Sequence, residues 1–466
     1  MPARLVHRRK HGRSAKAKRR FCYTLAPSLP AALLVLQRCP LRVGTDFSGL
    51  DSPIIALIQM RLSFLHVFAC DALPASQKLI KTIFRPKHFY GDAMTRDVDA
   101  MPKTDLFVSG FPCQPFSTGG KQLGVLDSRG LLADASLTYI ECHKPQMVVL
   151  ENVAGLMHAK HRPLLEHILN RLAILGYTIS AELLNTASFK LPHHRKRLYI
   201  VGTMRGRTVC FPPPSTSSIA LSDLLMPLRA NTWRPTPTTK HGRRVVLMHY
   251  RKLVKQGVRI FDAPIVVDAG SSKKFSKANI GIASCLTKTR CSNKDGYWVS
   301  SKGGSLSKDE MMLLQGIDPS MFPESLRRRL GVSDCAFGGM LGNCMSVNVL
   351  CNLLPRVFLA SGWATKAEAL QLQHNSGWWG LVLSWQQQAC SCWCLIRWFV
   401  VCTIRFSCTR KQTHANVSSH VDWWTVTIMY NIHSTSFWTT LLLTCCLVSV
   451  THSYMTLPVF LTLCES

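Results

Sequence analysis

Acidic residues are scarce in this chain: 25 Asp and Glu stand against 56 Lys and Arg, a formal net charge of +31. Such a surplus draws polyanions, so nucleic acid is the first partner to consider and an anionic membrane surface the second. Nothing in the opening residues resembles a secretory signal. The opening MPARLVHRRKHGRSAKAKRR is basic and carries no apolar run. Despite 19 cysteines, a reducing compartment is therefore expected rather than a disulfide framework. No Cys-x-x-Cys pairs with a second one or with a suitably spaced His pair, so no structural zinc, and no metal, is predicted. No internal repeat is evident. The basic run 8–20 reads as a nuclear address, an organelle transit segment or an arm on nucleic acid, with a solvated disordered tail as the plain alternative.

The 466 residues are enough for two or three domains. From Leu41 onward apolar runs alternate with amphipathic segments, which predicts βαβ units and a doubly wound, mostly parallel α/β sheet. Strands are expected at LRVGTD, LHVFACD, DLFVSG, QMVVLENV and RLYIVGT, with helices at SPIIALIQMRL, PASQKLIKTIF, GLLADASLTYIECHKP and RPLLEHILNRLAILGY. Asp46 with Ser48, then Asp71, Cys113 and Glu151, each falls at or just past the C-terminal end of an apolar strand, the edge where open α/β sheets bind ligands. FPPPSTSS at Phe211 breaks the alternation. Between Arg229 and Lys277 twelve Lys and Arg face two Asp, with Trp233, His241, His249, Tyr250 and Phe275 interspersed, a basic, loop-rich segment suited to phosphate contacts. Ser307 and Glu310 form a capping-box pattern before an apolar helix, and a further helix is expected after a Gly342–Asn343 turn. The expected divisions are an arm over 1–40, a main domain over 41–210 and 281–365, a small basic region over 211–280, and a tail over 366–466 outside the fold. Eight of the eleven tryptophans lie in that tail. Its apolar stretch 437–464 is long enough to cross a bilayer but is diluted by Thr, Ser, His and Pro, so a membrane anchor is not expected.

The order TDFSG, GFPCQPFS, ENV, RKRLYIVG, LQG and GN, running between Leu41 and Phe358, resembles the DNA (cytosine-5) methyltransferase family. The resemblance implies a Rossmann-like, S-adenosylmethionine-dependent catalytic domain with a small target-recognition domain, in the compact form that carries a catalytic module alone. Carbon 5 of cytosine is a poor nucleophile until a thiolate adds to carbon 6. Cysteine suits that step, being strongly nucleophilic near neutrality and able to leave afterwards. By resemblance Cys113 is that nucleophile, stiffened by Pro112 and Pro115. Glu151 is implied as the carboxyl group at N3 of the ring, held protonated by burial. Arg195 is implied to hold the cytosine carbonyl and orient the glutamate, with Arg197 as the second of the pair. The target base has to be flipped out of the duplex.

For the cofactor, the resemblance implies Phe47, Ser48, Gly49 and Leu50 as the first loop, Asp71 on the ribose hydroxyls, Asp92 at the adenine and Asn343 closing the site. Two positions depart from the family pattern: Asp51 replaces a loop glycine, and His193 replaces the glutamine before the paired arginines. DNA is the expected substrate and a monomer the expected state, with the nucleus, or an organelle with its own DNA, as the expected location. Two alternatives stay open, the same reaction on RNA and a catalytically silent nucleic-acid-binding relic.

Overall fold

The computed structural model describes residues 39–112, 131–228 and 232–375; Cys113 and the stretch 376–466 with its apolar run lie outside the described residues. The main sheet opens with β1 (Leu41–Asp46), α1 (Ser52–Gln59), β2 (Phe64–Cys70), α2 (Pro74–Ile83), β3 (His88–Tyr90) and β4 (Leu106–Ser109). It continues through α3 (Leu131–His143), β5 (Met147–Val153), α4 (Arg162–Ile174), β6 (Tyr177–Asn185) and β7 (Lys196–Met204). The strand order is β3-β2-β1-β4-β5-β7-β6, with β7 antiparallel to its neighbours and the first five strands parallel. β4 (LFVS) and the first four residues of β5 (MVVL) are buried and almost wholly apolar because a parallel strand covered on both faces has no solvent side. One face packs Leu41, Val43, Ile54, Leu57, Leu350 and Leu354, the other Phe68, Phe107, Tyr139, Ile168 and Leu172. That doubly wound, mostly parallel sheet matches the expected fold class.

The sequence pattern does not announce β6, and the helix expected before it was carried through to Tyr177. Gly176 at φ 88° ends α4 in the left-handed position that favours glycine. β6 is an edge strand whose half-exposed Ser180 and exposed Glu182 blur the alternation.

A second sheet, β11-β10-β8-β9, is built from β8 (Ile265–Val267), β9 (Ala278–Ile280), β10 (Trp298–Val299) and β11 (Gly304–Ser305), all antiparallel. Short α5 (Leu221–Leu224) precedes it and α7 (Lys288–Ser292) lies between β9 and β10. This second sheet runs on past 280 to Ser305. The small basic unit is also less loop-rich than expected: α6 (Lys240–Lys255) is a sixteen-residue helix. Thr239 caps it by accepting from the Gly242 N–H, 3.3 Å, and Val246, Tyr250 and Leu253 place one apolar stripe on a core shared with Ile265, Val267 and Trp298. The outward face carries exposed Lys240, Arg243, Arg244, Arg251, Lys252 and Lys255. Their number hid the stripe from a composition-based reading.

The chain returns to the main domain through α8 (Lys308–Leu314). The expected capping box is present, and Glu310 does more than cap. Its buried carboxylate accepts from the Met226 and Ser307 N–H groups, both 2.7 Å, and from Lys302 Nζ at 2.6 Å. One side chain thus gathers the chain leaving for the small unit and the chain coming back. α9 (Glu324–Arg329) follows, then α10 (Asp334–Asn343) and α11 (Val347–Ala360). Gly342–Asn343 is the end of a helix, not an opening turn. A Cβ at Gly338 would lie 2.0 Å from the Cys291 carbonyl oxygen, and one at Gly342 would lie 2.3 Å from the Lys288 nitrogen. The glycines let α10 seat against the backbone of residues 287–291. α12 (Lys366–Asn375) buries Ala369 and Leu372, the latter in the main core, so the fold extends past the expected boundary at 365.

Candidate active site

Between β1 and β4 the strand order reverses, and the crevice at such a switch point receives ligands in open α/β sheets. Here it is a cavity of about 350 Å³ lined by residues from β1, β2, β5 and β7, by the chain just past β4 and by the end of α10. Phe47, Ser48, Gly49, Asp71, Asp92, Glu151, Arg195, Arg197 and Asn343 all line it. Leu50 does not; it is fully buried in the core below. Gly110, Phe111 and Pro112, the residues leading to Cys113, are on the wall.

The loop after β1 is tightly wound. Phe47 (φ 52°), Gly49 (φ 57°) and Asp51 (φ 58°) all lie in the left-handed region, which costs a non-glycine residue about 1 kcal/mol. Strain of this kind persists only where surroundings enforce it. Ser48 is enforced by its N–H to the Cys70 carbonyl, 3.1 Å, and its hydroxyl against Thr45 Oγ1, 2.8 Å. Gly49 donates its N–H to Asp71 Oδ2, 2.7 Å, and Leu73 donates to Oδ1, 2.8 Å. Each carboxylate oxygen keeps a further lone pair for a ligand hydroxyl. Burial holds Asp71 above the ordinary carboxylate range, against those two hydrogen bonds. Asp92 is exposed and turns back to accept from the Met94 N–H, 2.9 Å.

Asp51 is fully buried, and neither carboxylate oxygen has a hydrogen-bond donor. Its nearest charged neighbour is His66 on β2, with Oδ2 and Nε2 3.4 Å apart. Burial pushes the Asp51 carboxyl well up and the His66 imidazole down to about 4. The aspartate that departs from the family pattern thus has a local partner, one strand away.

Asp46, at the tip of β1, was legible as a sheet-edge carboxylate, but its partner was not. Arg96 grips it with both terminal nitrogens, Nη2 to Oδ2 at 2.6 Å, and Ser136 donates to Oδ2 at 2.9 Å. Both charges are buried, which ties the loop carrying Asp92 to β1. A single arginine in DAMTRDVD offers no periodicity or spacing that would single it out.

At the other end of the cavity the two arginines divide their work in the reverse of the expected order. Arg197 Nε lies 3.1 Å from Glu151 Oε1. Arg195 donates to three backbone carbonyls instead: Leu286 at 2.9 Å, Gly342 at 3.2 Å and Cys344 at 2.6 Å. It is a staple holding the end of α10 and the 283–287 segment to the main sheet, while Arg197 is the glutamate's partner. Asn152 Nδ2 donates to the Phe111 carbonyl, 3.3 Å, and so joins the end of β5 to the chain entering the Cys113 segment. His193 also fits its departure. Buried and held neutral by burial, it pairs Nδ1 with the Leu314 carbonyl, 3.0 Å, and accepts at Nε2 from the Leu286 N–H, 3.0 Å. One donor and one acceptor are what an amide would have supplied. Among the described residues no group of three or more His, Cys, Asp or Glu could hold a metal.

The cavity is large enough for a drug-sized ligand, and the Asp71 carboxylate keeps acceptor positions for a pair of ligand hydroxyls. Comparisons with known proteins find these similarities. Type II methyltransferase M.DsaV of Dactylococcopsis salina is 31% identical over 270 residues, 56% of this chain and 70% of that protein. Type II methyltransferase M.NlaIV of Neisseria lactamica is 35% identical over 148 residues, 30% of this chain, so the match spans only 35% of its length. The S. pombe Dnmt2 methyltransferase structure aligns over 68% of this chain and 98% of its own at 19% identity and a TM-score of 0.46. The profile of the C-5 cytosine-specific DNA methylase family matches residues 47–358. With that match covering well over half of the chain, the chain belongs to the C-5 cytosine-specific DNA methylase family.

Proposed function

We propose that this protein transfers a methyl group from S-adenosylmethionine to carbon 5 of cytosine in DNA, through a covalent cysteine adduct on a flipped base. The observation that carries the reading is the Glu151–Arg197 pair on the wall of the same cavity as the Asp71 loop. The bound cofactor supplies an electrophilic methyl group. Asp71 receives its ribose hydroxyls, the Phe47–Gly49 loop its amino-acid portion, Asp92 its adenine, and Asn343 flanks it from α10. Cys113 attacks carbon 6 of the base. Glu151 meets the N3 edge and supplies the proton there as negative charge reaches the ring. Arg197 holds the Glu151 carboxyl in place and faces the ring carbonyl, while Arg195 keeps the floor of the site assembled. The exposed basic face of α6, with Lys273 and Lys274, supplies phosphate contacts that position without reading sequence.

Covalent trapping tests the reading. Full-length protein is mixed with S-adenosylmethionine and DNA or RNA bearing 5-fluorocytosine, whose fluorine blocks the final elimination. A denaturation-resistant adduct on DNA that is absent in Cys113→Ala is the expected result. An adduct on RNA alone would transfer the proposal to that polymer, and none on either would overturn it.

A further inference from the structure

Cys285 sits where no motif placed a functional residue. Its sulfur is 3.8 Å from Nη1 of Arg195 and 3.8 Å from Nη1 of Arg197, and Arg197 in turn reaches Glu151. Two guanidinium groups that line the active-site cavity converge on one partly exposed thiol. The backbone around it is fixed: Tyr297 Oη donates to the Cys285 carbonyl, 2.7 Å, and accepts from the Thr287 N–H, 3.1 Å. Arg195 is itself immobilised by three carbonyls, so its charge cannot swing away from the sulfur. In the thiol form Sγ can donate to the Leu286 carbonyl at 3.6 Å, a long contact that offers little reason to keep the proton.

The other buried thiols contrast with it. Burial pushes Cys70, Cys291 and Cys351 up to about 12 and Cys344 to about 11. At Cys285 burial also pushes upward, but the charges and hydrogen bonds of Arg197 and Arg195 outweigh it, and the thiol lies below its ordinary value. Reactive cysteines are found in electropositive, partly accessible surroundings of this kind, whereas apolar burial makes a thiol inert.

We propose that Cys285 is a modification site, a thiol held between Arg195 and Arg197 that hydroperoxides oxidise and soft alkylating electrophiles cap. In the oxidation the sulfur lone pair attacks one peroxide oxygen, the O–O bond breaks, and hydroxide leaves with the bonding pair and takes up a proton to form water. The sulfur becomes a sulfenic acid, oxidised by two electrons, and the peroxide is reduced by two. The added oxygen lies among the guanidinium donors and competes with Glu151 for Arg197.

The experiment needs no enzymatic activity, so it stands or falls apart from the methyl-transfer reading. Full-length protein freed of reductant is treated at neutral pH with hydrogen peroxide and a dimedone-type trap for sulfenic acid, and in parallel with iodoacetamide. Labelling is followed peptide by peptide by mass spectrometry. Exposed Cys210 and Cys335 in the same molecule are the comparators. Cys285 is expected to label several-fold faster than either, because the two guanidinium charges raise its thiolate fraction. The advantage is expected to vanish in denatured protein and to shrink in Arg197→Gln, checked for folding by thermal melt. Labelling no faster than Cys335 in the native chain, or a preference that persists after denaturation, overturns the proposal. Should Arg197→Gln fail to fold, the native-against-denatured comparison alone decides.

Discussion

Asp51 and His66 form a buried acid–base pair whose proton count sets a pH dependence. Burial disfavours both charges, so the native carboxyl is raised and the native imidazole lowered. The raised carboxyl stabilises the fold in acid, and that contribution is lost as pH rises toward its native value. The lowered imidazole is a penalty in acid that is relieved as pH rises to about 6.5. In Asp51→Asn only the imidazole titrates, and stability rises with pH up to about 6.5 and then levels. Thermal melts of both proteins at about pH 5 and about pH 8 should therefore show the wild type losing ground to the variant as pH increases. A constant difference would refute the raised carboxyl.

The paired arginines make a second prediction at this scale. Removing Arg195 leaves three buried carbonyls without their donor, so Arg195→Ala is expected to lose roughly 3 kcal/mol or more of stability. Glu151→Gln keeps the packing but cannot supply a proton, and is expected to fold normally while methyl transfer falls about 10²- to 10⁴-fold. Melting curves and single-turnover rates on the same samples separate the two roles. A folded Arg195→Ala of unchanged melting temperature would count against the staple.

Among the elements, α10 depends most on close approach. Its Gly338 and Gly342 face the backbone of residues 287–291, with no flexible side-chain end to yield at either position except Lys308 Nζ near Gly338. Gly342→Ala forces the helix away from that backbone, carrying Asn343 out of the cavity wall and breaking the carbonyl bonds to Arg195. Overpacking of this sort costs about 1–3 kcal/mol, and a parallel loss of S-adenosylmethionine affinity, read by calorimetry, is expected. Glu310 is the corresponding point for the small unit. Glu310→Ala strands the buried Lys302 ammonium and removes the acceptor of two backbone N–H groups, with an expected loss of about 3–5 kcal/mol.

For the whole molecule, the charge surplus is the dominant property. The outward face of α6 gathers six of these positive charges. Removing one phosphate-binding charge flattens the dependence of log affinity on log salt by about 0.9 on duplex DNA. Replacing Arg243, Arg244, Arg251 and Lys252 by Gln is expected to flatten that slope by roughly 2–4 without altering the melting temperature. An unchanged slope would place the DNA on another face. At the other end of the fold, ending the chain after 365 removes α12 and the cover that Leu372 gives the core, whereas ending it after 375 does not. The protein ending at 365 is expected to melt earlier than the one ending at 375.

The sequence by itself determined the alternation that makes a doubly wound sheet, because a strand buried on both faces must be apolar. It also placed Asp71, Glu151 and the loop glycine Gly49 at strand ends, since such motifs are local in the chain. It could not place what depends on distant partners. Arg195 and Arg197 are two residues apart with the same charge, yet one packs into the seam between α10 and the 283–287 segment while the other reaches Glu151. Arg96 acquires meaning only beside Asp46, His66 only beside Asp51, and Cys285 only between two guanidiniums, because burial and the field of neighbouring charges exist in the folded molecule alone. α6 was hidden for a related reason: its apolar stripe becomes visible as a core-facing surface only when a small sheet is present to receive it.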